Sequence, residues 1–293
     1  MCRLLGIVSN KETKLLTMYD TLSVVLRKLC KDYGECHRDG CGIAWFLNNS
    51  WHIKKFAEPL WESKNLRHVV DRVESKAIIV HARKATYPIN SPMGLRIENS
   101  HPYIYEENGT QFVFAHNGHI IFDETHIKID PRHRTLHIDD YTEPLTSYGT
   151  DSEIFLRLLV HKMNTYNASE PGQIVRVLEE ILVDPLIRDF RAINFIMGTN
   201  KFIYALRYYN ECYSDCEEKY TLYYLRKNHN GTYENENDIF ISSEPLTGRK
   251  WISATKDIAH VLNSEKWIEL KNRHLLYVPI GQPKKIKIAK LKI

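Results

Sequence analysis

The sequence predicts an α+β chain in which antiparallel sheets are covered by helices, and three observations carry that prediction. Strand-like segments fall in adjacent runs: 40–47 with 51–56, 192–197 with 201–209, and 220–225 followed by 238–241. Helical patterns come as a pair at 152–166 and 172–182, where a doubly wound parallel sheet would alternate strand and helix. No internal repeat or low-complexity linker interrupts the 293 residues, so a single domain over 1–293 is expected.

In chain order, residues 3–8 are apolar enough for a buried strand. Residues 14–33 carry Leu15, Met18, Leu22, Val25, Leu26 and Leu29 at helical spacing. Asn48-Asn49-Ser50 between two strand patterns is a hairpin signal. Residues 61–73 look helical, and 76–83 form a buried strand. Three prolines and a glycine make 84–103 a long irregular stretch, and 84–101 is the expected lid over a bound substrate. Residues 110–116 are a strand closed by Asn117-Gly118, a pair that first suggests a type I′ turn. Residues 119–149 are a second long polar excursion, rich in histidine. The strand-like end, 285–291, interleaves lysines with Ile and Leu, as an edge strand with its lysines in water would.

Composition removes several function classes. Hydrophobic residues at 43% and charged residues at 26% exclude a disordered chain. No apolar run reaches the ~18 residues of a membrane helix. The N-terminus lacks the pattern of a signal peptide, so a cytoplasmic location is expected. A net charge of +4 is too small to imply nucleic acid. The six cysteines do not resemble a disulfide ladder, and with a reducing compartment they are expected unpaired. His119, His126, His133 and His137 lack the i, i+4 pairing of a metal site, so neither metal nor cofactor is expected.

Four stretches carry chemistry. Cys2 follows the initiator methionine, which processing removes before a small residue; a thiol and an α-amine would then share one residue, nucleophile beside base. Arg83 ends a strand and can hold a carboxylate through two parallel hydrogen bonds. Asn117 and the Gly118 N–H offer two donors aimed at one point, as an oxyanion hole requires. In Gly149-Thr150-Asp151-Ser152-Glu153, Thr150 and Glu153 fit a capping box, which leaves Asp151 for a substrate ammonium. Together these suit an α-amino acid with a reactive carbonyl at its far end, such as glutamine or a γ-glutamyl amide.

The set MCRLLG, HRDGCGIAW, HARKAT, NSHPY, FAHNG and YGTDSE resembles the class II glutamine amidotransferases, and ISSEPL at 241–246 resembles their stand-alone, YafJ-type branch. The resemblance implies a four-layer αββα sandwich of two antiparallel sheets, of the N-terminal-nucleophile hydrolase type. It implies Cys2 as nucleophile, Asn117 and Gly118 as oxyanion hole, and Arg83, Thr86 and Asp151 as substrate binders. Lys84 and Tyr87 stand where other relatives carry tryptophan and histidine, and Cys41 where the nearest branch is often aromatic. The implied activity is hydrolysis of a γ-glutamyl amide through a Cys2 thioester, releasing glutamate with ammonia or an amine. Its substrate is glutamine or another γ-glutamyl small molecule, and a partner protein would accept ammonia or act as a peptidase. Alternative readings are a γ-glutamyl peptide or conjugate hydrolase and a catalytically silent binding protein of the same fold.

Overall fold

The computed structural model describes residues 2–14, 22–23, 26–27, 30, 36–85, 96–139, 141–227, 238–244 and 267–293. The strands are β1 (Arg3–Lys14), β2 (Cys41–Leu47), β3 (Ser50–Phe56), β4 (Glu74–Ala82), β5 (Tyr103–Glu107), β6 (Thr110–Phe122), β7 (Ile127–Asp130), β8 (Thr135–Ile138) and β9 (Tyr141–Pro144). They continue with β10 (Ile187–Gly198), β11 (Phe202–Arg207), β12 (Tyr223–Lys227), β13 (Asp238–Ser242), β14 (Ile268–Glu269), β15 (His274–Pro279) and β16 (Lys287–Lys290). Three helices matter for packing: α1 (Lys64–Val70), α2 (Asp151–Thr165) and α3 (Pro171–Ile181).

Two sheets stack face to face. One runs β14-β12-β13-β1-β4-β2-β3 and the other β16-β15-β11-β10-β6-β5. Their strand pairs are antiparallel. The period-2 alternation of each strand sorts its side chains between two apolar layers. In β1, Leu4 and Val8 face the other sheet while Leu5 and Ile7 face outward; in β4, Ala77 and Ile79 face in and Ile78 and Val80 out. In β6, Val113 and Ala115 face the first sheet, and Phe112 and Phe114 face α2 and α3. Leu66 and Val70 of α1, with Leu22 and Leu26, cover the first sheet's outer side. Ile154, Phe155 and Leu158 of α2 and Ile174, Val177 and Leu178 of α3 cover the second's. The order is α, β, β, α, as expected, and at ~25 cal/mol per Å² of buried apolar area these layers supply the main folding drive.

Local signals behave as the sequence suggests in several places. Asn48 and Asn49 both take positive φ between β2 and β3, the backbone of a type I′ hairpin. The β16 edge carries Lys287 and Lys290, both exposed. Within 14–33, residues 22–23, 26–27 and 30 are helical.

Four expectations need correction. First, Asn117-Gly118 is not a turn: β6 continues to Phe122 because its pairing with β10 runs unbroken through Asn117↔Asn194 and Gly118↔Ile193. Glycine is needed there for close approach, since a Cβ on Gly118 would lie 1.8 Å from the Ala192 carbonyl oxygen. Second, 119–149 is no loop; after β6 it folds as the three-stranded meander β7-β8-β9. Third, Cys30 and Cys36 are joined by a disulfide, with Cα atoms 4.1 Å apart. This is one local pair six residues apart, which a search for ladder spacing does not detect. Fourth, only half of the capping box at α2 forms: the Thr150 hydroxyl accepts from Glu153 N at 3.3 Å. The Glu153 carboxylate is instead taken by Thr146 N, Ser147 N and the Arg157 guanidinium.

Gly118→Ala is therefore expected to destabilise the fold by about 1–3 kcal/mol, because the new methyl meets paired backbone that cannot move aside. Urea unfolding measures it; an unchanged midpoint would contradict the close approach.

Candidate active site

The register gathers the site at one end of the sandwich. Arg3 pairs with Ala82 and Cys41 also pairs with Ala82, so the start of β1, the end of β4 and the start of β2 lie side by side. By alternation, Cys2 shares the inward face of β1 with Leu4, and Arg83 shares that of β4 with Ile79. Asn117 lies on the inward face of β6 with Ala115. A cavity of about 350 Å³ opens between them, lined by Cys2, Arg83, Asn117, Gly118 and Asp151 among others. Of the sequence-predicted residues, Thr86 falls outside the described residues, as does most of the expected lid.

Cys2 is held on three sides. Its N–H donates to Asn117 Oδ1 at 3.2 Å. The thiol lies 3.6 Å from the Lys84 carbonyl oxygen, and Lys84 N donates to Sγ at 3.4 Å. The thiol thus bonds the main chain of residue 84, which makes the side chain at that position a minor matter for the thiol. Because Asn117 Oδ1 accepts from Cys2, its Nδ2 remains to donate elsewhere.

The Gly118 N–H can be traced through strand pairing. Ile193 N donates to the Tyr208 carbonyl, so Ile193 opposite Gly118 is a non-hydrogen-bonded pair and the Gly118 N–H points away from β10. The N–H groups two residues before and after share that edge: His116 N donates to His101 Nδ1 at 3.2 Å, and Ile120 N to Asp151 Oδ2 at 2.9 Å. Between them the β5 partner has ended, at Tyr103↔Phe114, and Gly118 lines the cavity.

Arg83 is buried, and its neighbourhood is built by Asp39 of the HRDG stretch, to which the sequence assigned no role. Asp39 N bonds the Arg83 carbonyl, Arg83 Nη1 donates to Asp39 O, and the Asp39 carboxylate takes Ala85 N at 2.6 Å. Asp151 begins α2 and accepts from Ser152 N at 2.8 Å and from Ile120 N, with His119 Nδ1 3.7 Å away. A carboxylate has about four lone-pair directions, which leaves Asp151 room for a further donor. Arg191 and Tyr220 also line the cavity. Nothing in the sequence marked them: Arg191 sits at a bulge inside β10 and Tyr220 closes a short helical turn at 216–219, neither beside a motif.

Against the cavity wall, His81, His101 and His116 are buried together, the first two with ring centres 4.3 Å apart and tilted by 41°. His116 Nδ1 lies 2.8 Å from Ser152 Oγ, which ties β6 to the start of α2. Burial pulls His81 down to about 3, with the Arg83 charge adding to it, and burial also lowers His101 and His116. All three are neutral near pH 7 and serve as scaffold. Each binds its proton less readily folded than unfolded, so stability is complete above pH ~6.5 and is lost as pH falls from there toward the depressed folded values. Urea midpoints across that window are expected to drop with acidification, and less steeply in His81→Leu; parallel slopes would contradict the assignment.

In the meander, His126 pairs with Asp139, His133 with Asp130, and His137 with Thr142. No group of three or more metal-binding side chains occurs among the described residues. Among them, too, no helix is long and apolar enough to cross a membrane.

Two facing antiparallel sheets between helical layers are a fold shared with solved glutamine amidotransferase structures. Residues 1–288 match the class II glutamine amidotransferases, and the chain belongs to that family. It is 28% identical over 214 residues to a candidate glutamine amidotransferase of Haemophilus influenzae, covering 70% of this chain and 62% of that one. Against the similarly named YafJ of Escherichia coli the identity is 25% over 209 residues, with 70% and 72% covered. The chain thus spans less than two thirds of the Haemophilus protein. Among solved structures, the glutamine phosphoribosylpyrophosphate amidotransferase of B. subtilis covers all of this chain and 50% of its own at TM-score 0.61 and 15% identity. A glutamine aminotransferase class-II domain protein from Silicibacter pomeroyi covers both chains fully at 0.54 and 18%. At such identities the structures speak for the fold.

Proposed function

We propose that the protein hydrolyses a γ-glutamyl amide with Cys2 as nucleophile. The observation that carries this reading is the single cavity onto which Cys2, Asn117, Gly118, Arg83 and Asp151 open. Removal of Met1 turns the Cys2 nitrogen into an α-amine on the residue that bears the thiol. Arg83 holds the substrate α-carboxylate and Asp151 its α-ammonium, which sets the γ-carbonyl at Sγ. The amine takes the thiol proton as sulfur bonds the carbonyl carbon, and the oxygen gathers charge against Asn117 Nδ2 and the Gly118 N–H. Collapse of that intermediate breaks the C–N bond; the ammonium returns the proton to the leaving nitrogen, and ammonia or an amine departs. Water then attacks the thioester, releasing glutamate and restoring the thiol.

A second reading draws support from Arg191, which lines the cavity and is paired with Asp215 at 2.9 Å. Glutamine uses one cation and one anion, so a further cation favours a γ-glutamyl peptide or conjugate with an anionic leaving group. Turnover of glutamine against γ-glutamyl-glycine separates the two. A partner would consume ammonia in the first case and the released amine compound in the second.

The first experiment is intact mass before and after a glutamine-like electrophile such as diazo-oxo-norleucine. Loss of Met1 with one adduct on Cys2 supports the reading. Retained Met1 without labelling would favour a silent binding protein.

A further inference from the structure

The 241–246 motif has no part in the chemistry above, yet its described residues close on the nucleophile's end of β1. Leu5 pairs with Ser242 across β1 and β13. One residue further, Leu4 N donates to Ser243 Oγ at 2.9 Å and Ser243 N to the Leu4 carbonyl at 3.1 Å. Thr221 Oγ1 donates to the Ser243 carbonyl at 2.6 Å. Glu244 is thereby set beside Arg3, with Oε1 2.5 Å from Nη2. The other terminal nitrogen, Arg3 Nη1, donates to the Cys2 carbonyl at 3.2 Å.

Stability does not account for this pair. The side chains are 5% and 29% exposed, and drawing two charges out of water offsets most of their attraction. Leu5 and Ile7 occupy the same face of β1, so an apolar residue at position 3 would continue the pattern. What the guanidinium adds is direction, since its planar fork binds Glu244 on one nitrogen and the Cys2 carbonyl on the other. Once Met1 is gone Cys2 is a chain end, and chain ends fray unless tied down.

We propose that Arg3 and Glu244 form a positioning clamp for the nucleophile. With the Cys2 nitrogen on Asn117 and its carbonyl on Arg3, both ends of the residue are fixed and the thiol stays at the cavity. Ser243 keeps the clamp in register by locking Leu4. The inference rests on the reading of Cys2 as nucleophile.

The test compares wild type, Arg3→Met, Glu244→Gln and the charge-reversed Arg3→Glu/Glu244→Arg protein. Each is measured for kcat and KM on a γ-glutamyl amide, thermal midpoint, and the pH profile of iodoacetamide alkylation mapped to Cys2. Intact mass of each shows that Met1 is gone. Arg3→Met should lower kcat about ten- to hundredfold with KM within about threefold, because a small displacement of the attacking atom is costly. Its Cys2 alkylation profile should move as well. Glu244→Gln keeps a neutral hydrogen bond and should lose less. The charge-reversed protein should regain its midpoint but not its kcat, since a glutamate at position 3 cannot donate to a carbonyl. Recovery of both there, or a wild-type kcat and alkylation profile in Arg3→Met, would overturn the clamp. A wild type inert toward every γ-glutamyl amide would instead sink the functional reading, and the alkylation comparison would still judge the clamp.

Discussion

Cys2→Ala is expected to fold with an unchanged midpoint and to lose γ-glutamyl amide turnover by about 10⁴-fold or more, the scale on which losing a nucleophile is felt. The fold should tolerate it because Cys2 precedes β1 and is only half-buried, and its thiol makes just two long contacts, both to the Lys84 main chain. The α-amine, Asn117 and Arg83 all survive the change, so substrate should still bind. Isothermal titration with glutamine on Cys2→Ala should therefore give an affinity near the wild-type value. Cys2→Ser sharpens the point: it keeps a nucleophile of similar size, and should retain measurable activity well below wild type. Should Cys2→Ala turn over substrate at the wild-type rate, the cysteine has no chemical part. The reaction would then have to be sought elsewhere in the cavity.

The strands and helices that position this site were legible because each follows a local rule. Leu4, Leu5, Ile7 and Val8 announce a strand buried on both faces, and the paired patterns at 152–166 and 172–182 announce two covering helices. Asn117-Gly118 misled as a turn because the same dipeptide that favours positive φ also permits a strand to pass close to Ala192, and only the partner strand decides between them. The meander at 127–144 was hidden because its four-residue strands are too short and too polar to show alternation. Cys2, Arg83, Asn117, Gly118 and Asp151 were legible as a set, since their chemistry is complementary across the chain. Asp39, Arg191, Tyr220 and the Arg3–Glu244 pair were not. They act through distances between segments far apart in sequence, and no local pattern encodes those.

Asn117→Ala is expected to lower kcat by about 10²–10³-fold, the usual cost of one oxyanion-hole donor, with KM for glutamine little changed. Two roles are proposed for the side chain, and a second variant separates them. Its Oδ1 accepts from the Cys2 nitrogen at 3.2 Å, and its Nδ2 is left for the developing oxyanion. Asn117→Asp keeps the acceptor but replaces the donor with a negative charge, facing an oxygen that becomes negative in the transition state. It should be at least as damaging as Asn117→Ala, although it preserves the contact to the amine. Were holding the amine the dominant role, Asn117→Asp would instead approach wild type while Asn117→Ala stayed slow. The stability cost should be modest, about 1 kcal/mol for one buried hydrogen bond, so folding alone cannot produce the loss. A variant whose KM rises at constant kcat would mean that Asn117 grips ground state and transition state alike, and the oxyanion hole would then reduce to the backbone of Gly118.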